Sequence, residues 1–263
     1  MNLQPVEILQ WYIEAGVEDA FDDVPRNYFA LPAEIEPEPA QLASIQPVQR
    51  AAPAASPIHN SQAAGIAEAR RMADEANTLE ELKNAVCAFE GCSIKKTATN
   101  TVFGDGNPES KLMLIGEAPG ADEDIRGIPF CGVSGKLLDK MLAAIGYDRT
   151  TYYITNTLFW RPPGNRAPNP EEIAMCRPFL EKHIALIDPE LIVLVGGVAA
   201  KALLSTEQGI TRLRGKSYSY RTPYKDKEYP VSIIYHPSYL LRQPGNKRIT
   251  WQDLLAIKKT LTH

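Results

Sequence analysis

Cysteine and histidine are both scarce in this chain, four of each among 263 residues. So few cysteines exclude a disulfide-built scaffold, and the thiols of Cys87, Cys92, Cys131 and Cys176 are expected to be reduced or held on a metal. Long apolar runs are missing as well: no stretch of 18 apolar residues occurs, which leaves no candidate for a membrane-spanning helix. The opening residues, MNLQPVEILQWYIEAG, lack a basic n-region and carry Glu7, so no secretory signal is read and a cytoplasmic location is expected. A full dinucleotide fingerprint is also lacking. Val195-Gly196-Gly197 follows an apolar run without the remaining glycines of that pattern, and reads as a tight strand-to-helix turn. No internal repeat is visible.

Charge is unevenly shared. The formal net charge is −4, yet residues 1–82 hold four Lys/Arg against 14 Asp/Glu, whereas residues 83–263 hold 24 against 18. A mildly basic C-terminal portion permits a phosphate-binding face without demonstrating one.

Composition divides the chain. Residues 1–23 contain a short amphipathic helical segment with Val6, Ile8, Leu9, Tyr12 and Ile13 at helical spacing. It reads as a helix packed on the parent domain, with docking to a protein partner as the alternative. Residues 24–61, rich in Pro, Ala, Gln and Glu, read as a linker with too little apolar area to fold. Residues 62–83 form a helical lead-in, interrupted near Asn77-Thr78, where Thr78 and Glu81 resemble a capping box. The main domain is 84–263. Its predicted strands are Leu112–Ile115, Tyr152–Thr155, Leu191–Val195 and Val231–Tyr235. Predicted helices are Ser134–Ile145 with Ser134 as N-cap, Pro170–Ile187, Gly197–Leu204 and Thr250–Leu261. This alternation indicates an α/β fold, three layers α/β/α around a central, mainly parallel four-stranded sheet.

The most informative stretch is LMLIGEAPGADEDIRGIPFCG, residues 112–132, where an apolar strand stops at Gly116, Pro119 and Gly120. The turn leaves Glu117 at the carboxyl end of the strand, where open α/β sheets place ligand crevices. Asp122, Glu123 and Asp124 follow, and Phe130 offers a ring to a flat ligand. Two other strands end at Asn156 and His236; if the strands are parallel, the three polar side chains converge at one sheet edge. The remaining histidines, His59, His183 and His263, fall in the linker, within a helix and at the terminus, and read as structural or solvated.

Five motifs, GEAPGADED, PFCGVSGKLLD, YITN, RPPGNRAP and HPSYLLR, stand in an order and spacing that resembles the uracil-DNA glycosylase superfamily, in particular its family 4 bacterial and archaeal members. The resemblance covers about residues 84–262. It implies base flipping and hydrolysis of the deoxyuridine glycosidic bond, with uracil-containing and abasic-site DNA as partners, and no metal or organic cofactor in the hydrolysis. Phe130 would stack on the uracil and Asn156 would read its edge, with Gly116 and Ala118 completing the base pocket. His236 would stabilise the departing uracil anion. A carboxylate must stabilise the sugar cation and handle water. Glu117 is the first candidate and Glu123 the second, and Ala118 replaces the water-activating Asp of another branch. Leu240 and Leu241, at a loop tip, would fill the space the base vacates, while Ser134, Arg242, Lys247 and Arg248 meet the DNA backbone. The loop PPGNRAPNP lacks the reactive His of covalently trapping relatives, so no suicide chemistry is expected. A monomer is expected. A non-catalytic lesion-binding protein, or a glycosylase that also removes deaminated purines, are the alternatives; Gly120 stands where some relatives carry a thymine-rejecting Tyr.

Family 4 members typically hold a four-iron, four-sulfur cluster on four cysteines. By the resemblance Phe89 and Trp160 occupy two of those positions, Cys87 is out of register, and only Cys92 and Cys176 remain. The cluster is therefore expected to be absent, with Phe89 and Trp160 filling its place.

Overall fold

The computed structural model describes residues 57–262. The helical segment read over 1–23 and the linker up to residue 56 lie outside the described residues. Helix α1 (Pro57–Glu75) starts four residues before the expected end of that linker. Helix α2 (Leu79–Ala88) follows the interruption at Asn77-Thr78: Thr78 Oγ1 accepts from Glu81 N–H at 3.1 Å, and the Glu81 carboxylate reaches back to Asn77 N–H at 2.6 Å.

Next come β1 (Asp105–Gly106), β2 (Leu112–Gly116), α3 (Ala121–Arg126), α4 (Val133–Ala143), β3 (Tyr153–Asn156), α5 (Pro170–Ile187), β4 (Leu191–Val195) and α6 (Gly197–Leu204). The chain closes with α7 (Ile210–Leu213), β5 (Tyr218–Arg221), β6 (Glu228–Ile234), α8 (Pro237–Arg242) and α9 (Lys247–Leu261). The described strands form one six-stranded sheet of order β1-β3-β2-β4-β6-β5. Its four inner strands are parallel and are the four read from the sequence; β1 and β5 are antiparallel edges that the sequence reading did not anticipate. Every residue of β2, β3 and β4 is buried, the pattern of a parallel sheet covered on both faces. Among the described residues no helix is long and apolar enough to cross a membrane.

The two-residue period of the strands assigns the core. Met113, Ile115, Ile192, Leu194 and Ile233 face α5 and α6 through Leu180, Ile184 and Leu203. Leu112, Leu114, Val193, Val195 and Ile234 face α4 and α9 through Leu138, Leu142, Leu254 and Ile257. A third cluster joins α1 and α2 to α5 through Ala69, Ala73, Leu82, Val86 and Phe179. The pair Arg70–Glu181, 2.7 Å apart with the carboxylate almost wholly buried, fastens α1 to α5.

Helix α4 starts at Val133 with Gly132 as its cap residue, so Ser134 lies inside the first turn and is not the N-cap. Gly132 N–H donates to the Glu123 carboxylate at 2.9 Å, which holds the chain extended there and starts the helix earlier. Strands β3 and β6 end at Asn156 and Ile234, one residue beyond and one short of the expected limits.

Candidate active site

Register brings the site together. Gly116 pairs with Asn156, and Val195 with Ile234, so β2, β3, β4 and β6 end at one edge and His236 follows two residues beyond β6. The turn after β2 continues alongside the chain leaving β3: Thr157 N–H donates to Gly116 O at 2.9 Å and Leu158 N–H to Glu117 O at 3.1 Å. The Thr157 hydroxyl also donates to Glu117 O, so the peptide that carries Glu117 is fixed on one side. The Glu117 carboxyl is half-buried, and that burial pushes its pKa up.

The neighbouring acids diverge. Glu123 accepts from Gly120 N–H at 3.1 Å and Gly132 N–H at 2.9 Å, tying the start of α3 to the start of α4. Asp124 is buried and accepts from Thr99 N–H, Thr99 Oγ1 and Asn100 N–H at 2.8, 3.0 and 3.2 Å. Asp122 is exposed. Glu117 is thus the carboxyl whose lone pairs are uncommitted, whereas Glu123 borders the same cavity with both oxygens engaged.

Phe130 is buried at φ +54°, a left-handed conformation that costs a residue with a side chain about 1–2 kcal/mol. Its ring lies against Gly116 and Asn156, with its centroid 5.7 Å from that of His236. A Cβ at position 116 would collide with both Phe130 and Asn156 Oδ1, so this approach requires glycine. The Asn156 side chain is buried, and its Oδ1 has no hydrogen-bond partner among the described residues. A buried acceptor without a donor is costly, about 1–3 kcal/mol, unless a ligand supplies one.

His236 caps α8. Its Nδ1 accepts from Ser238 N–H at 3.2 Å and lies 2.7 Å from Ser238 Oγ. Burial, with Arg242 reinforcing and Glu123 opposing, lowers its pKa to about 4. The imidazole is therefore neutral at pH 7, and acceptance at Nδ1 leaves the proton on Nε2 as a donor.

These groups line one cavity of about 390 Å³ with Ala118, Pro119, Gly120, Ser134 and Arg242. Pro162, Asn165, Arg166 and Ser238 complete its wall. The RPPGNR segment was noted in the sequence, but no role there pointed to Asn165 or Arg166; Arg166 forms a two-pronged pair with the buried Glu172, which orients it. Leu240 corrects an expectation. It lies within α8, not at a loop tip, and is fully buried against Met141, Trp251 and Leu254, so it cannot enter a base stack in this conformation. Leu241 is 41% exposed, and Arg242, Lys247 and Arg248 are exposed.

Away from the cavity, Cys92 and Cys176 are both fully buried and hydrogen-bonded to one another, which with burial drives the Cys176 thiol up and keeps it protonated. Phe89 and Trp160 pack in the same cluster, their rings stacked at 6.5 Å. Cys87 is exposed, and no group of three or more Cys, His, Asp or Glu suited to a metal occurs among the described residues. Two thiols amid aromatic rings do not fit a four-iron cluster, which ordinarily needs four thiolates.

An aromatic platform, a buried carboxamide, a neutral imidazole and a half-buried carboxyl at the carboxyl edge of a parallel sheet define an α/β protein with a pocket for a planar heterocycle. The chain belongs to the uracil DNA glycosylase superfamily, whose family model matches residues 103–255. It is 39% identical over 188 residues to the type-4 uracil-DNA glycosylase of Sulfurisphaera tokodaii, covering 70% of this chain and 84% of that protein. It is 40% identical over 171 residues to the type-4 uracil-DNA glycosylase of Archaeoglobus fulgidus, covering 64% and 85%. For that of Thermotoga maritima the figures are 36% over 183 residues, 68% and 93%.

Proposed function

We propose that this protein is a monofunctional uracil-DNA glycosylase that flips deoxyuridine out of DNA, hydrolyses its glycosidic bond and leaves an abasic site for base-excision repair. The observation that carries the reading is the unpartnered, buried Asn156 Oδ1 beside the Phe130 ring. Uracil stacked on Phe130 gives N3–H to that oxygen and takes a hydrogen bond at O4 from the amide nitrogen. Cytosine presents the opposite polarity at both atoms. A buried amide left mispaired supports discrimination of about 10⁴.

As the C–N bond breaks, the sugar becomes cationic and the base leaves as an anion with charge on O2. Nε2–H of the neutral His236 donates to that oxygen, an interaction worth about 3 kcal/mol by comparison with oxyanion-hole donors. Glu117, ionised, stabilises the cationic sugar and orients the attacking water. Glu123, held by two backbone N–H groups, shapes the turn and adds negative potential. Leu241 fills the vacated stack, and Arg242 and Lys247 hold phosphates. Duplex oligonucleotides carrying one U test the reading: strand scission at U after alkali is expected, and an intact strand with tight binding would make the protein a lesion binder instead.

A broader base range has one observation in its favour, since Gly120 brings no side chain to the cavity it borders. Identical duplexes bearing U, T, hypoxanthine or xanthine measure it. The protein works without an iron-sulfur cluster, as the Phe89 and Trp160 packing supports; purified protein is expected to be colourless and free of iron, and a brown, iron-containing preparation would overturn this.

A further inference from the structure

Phe130 needs an external hold. A residue with a Cβ relaxes out of the left-handed region when its peptide is free, and the Phe130 ring would leave the pocket with it. The hold comes from Arg149, in the connection between α4 and β3. Its Nη2 donates to Phe130 O at 2.8 Å and its Nη1 to Pro129 O at 3.1 Å. The guanidinium is itself fixed: Nη1 meets Asp105 at 3.0 Å and Nε meets Asp139 at 3.0 Å. The Tyr152 hydroxyl donates to the same Asp139 oxygen at 2.6 Å. From the opposite side Gly135 presses on the Phe130 carbonyl so closely that a Cβ there would overlap it. Arg149 is not among the residues that line the cavity.

We propose that Arg149 is a positioning residue for base excision, which holds the strained Phe130 platform by gripping the carbonyls of Pro129 and Phe130. The proposal rests on the uracil-excision reading. A planar fork is required, because two carbonyls and two carboxylates are served at once in one plane; a lysine ammonium cannot reproduce that.

The test is a double-mutant cycle under single-turnover conditions with saturating enzyme and U-containing duplex. Arg149→Met is expected to slow excision about 10- to 100-fold, equivalent to about 1.4–2.7 kcal/mol, and Phe130→Leu to slow it comparably. If Arg149 acts through Phe130, the double variant is no slower than the slower single one. Multiplication of the two losses overturns the proposal. Should Arg149→Met fold poorly, Arg149→Lys keeps the charge and is expected to give a smaller loss with the same non-additivity. A second readout needs no activity. In protein labelled with 4-fluorophenylalanine, the ¹⁹F line that vanishes in Phe130→Leu is expected to shift or broaden in the Arg149 variant, while the lines of the buried Phe159 and Phe179 stay put. An unmoved Phe130 line overturns the proposal. Wild-type protein that fails to excise uracil sinks the excision reading alone, since the ¹⁹F result still decides whether Arg149 holds Phe130.

Discussion

Replacing Asn156 by aspartate exchanges the single group in the pocket that distinguishes uracil from cytosine. The side chain is 1% exposed and its oxygen has no protein partner, so nothing nearby compensates for the change. Burial penalises the carboxylate, so the new acid is expected to be protonated at low pH, offering one O–H donor and one acceptor. That pair matches cytosine, which accepts at N3 and donates from N4. With uracil, two contacts are disturbed at about 1–3 kcal/mol each, which puts the loss of kcat/KM at about 30-fold to 10⁴-fold. The sign with pH follows: cytosine excision by the variant rises as pH falls through the pKa of the new acid, and uracil excision worsens as pH rises and the buried carboxylate ionises. Duplexes identical except for U or C at one position, in single-turnover assays from pH 5 to 8, measure both. Unchanged preference for U over C, at the wild-type rate, would refute the assignment of Asn156 as the reader of the base edge.

Three other perturbations separate the remaining roles. His236→Ala is expected to slow uracil excision at least about 100-fold, the scale of losing one oxyanion donor, with affinity for abasic DNA changed far less; a wild-type rate removes the imidazole from the mechanism. Because His236 has a pKa of about 4, it does not titrate between pH 5 and 8, and the acid limb of the rate profile belongs to Glu117, raised by burial above its ordinary 4.5. The rate therefore rises with pH until Glu117 is ionised, and Glu117→Gln is slower and lacks that limb; a limb near 6.5 that disappears in His236→Ala contradicts the neutral imidazole. Leu240→Ala, at a fully buried site, is expected to lower stability by about 2–5 kcal/mol in denaturant unfolding. Leu241→Ala leaves stability within about 0.5 kcal/mol but slows excision from duplex more than from single strands; the reverse pattern would make Leu240 the wedge.

Much of the frame is legible in the chain itself because its signals are local. Helix Pro170–Ile187 is bounded by Asn169 and Pro170 at one end, and strand Leu191–Val195 is an unbroken apolar run stopped by glycines; both match their expected limits. Their alternation fixes the order of layers, and the ends of the parallel strands fix which polar residues meet. The edge strands β1 and β5 and the short helices α3, α7 and α8 carry no such signal, since two to seven residues give too little periodicity and their pairing partners are remote.

The sequence by itself determined the chemistry available at the sheet edge: Glu117, Phe130, Asn156 and His236 are placed by strand ends and turn residues that act over a few positions. Tertiary structure decided how each is used. Glu123 is committed to two backbone N–H groups, His236 is held as the Nε2–H tautomer, Leu240 faces inward while Leu241 faces out, and Arg149 reaches back 19 residues to the carbonyl of Phe130. These are hydrogen bonds and burial, which depend on distance in space, and no spacing along the chain encodes them.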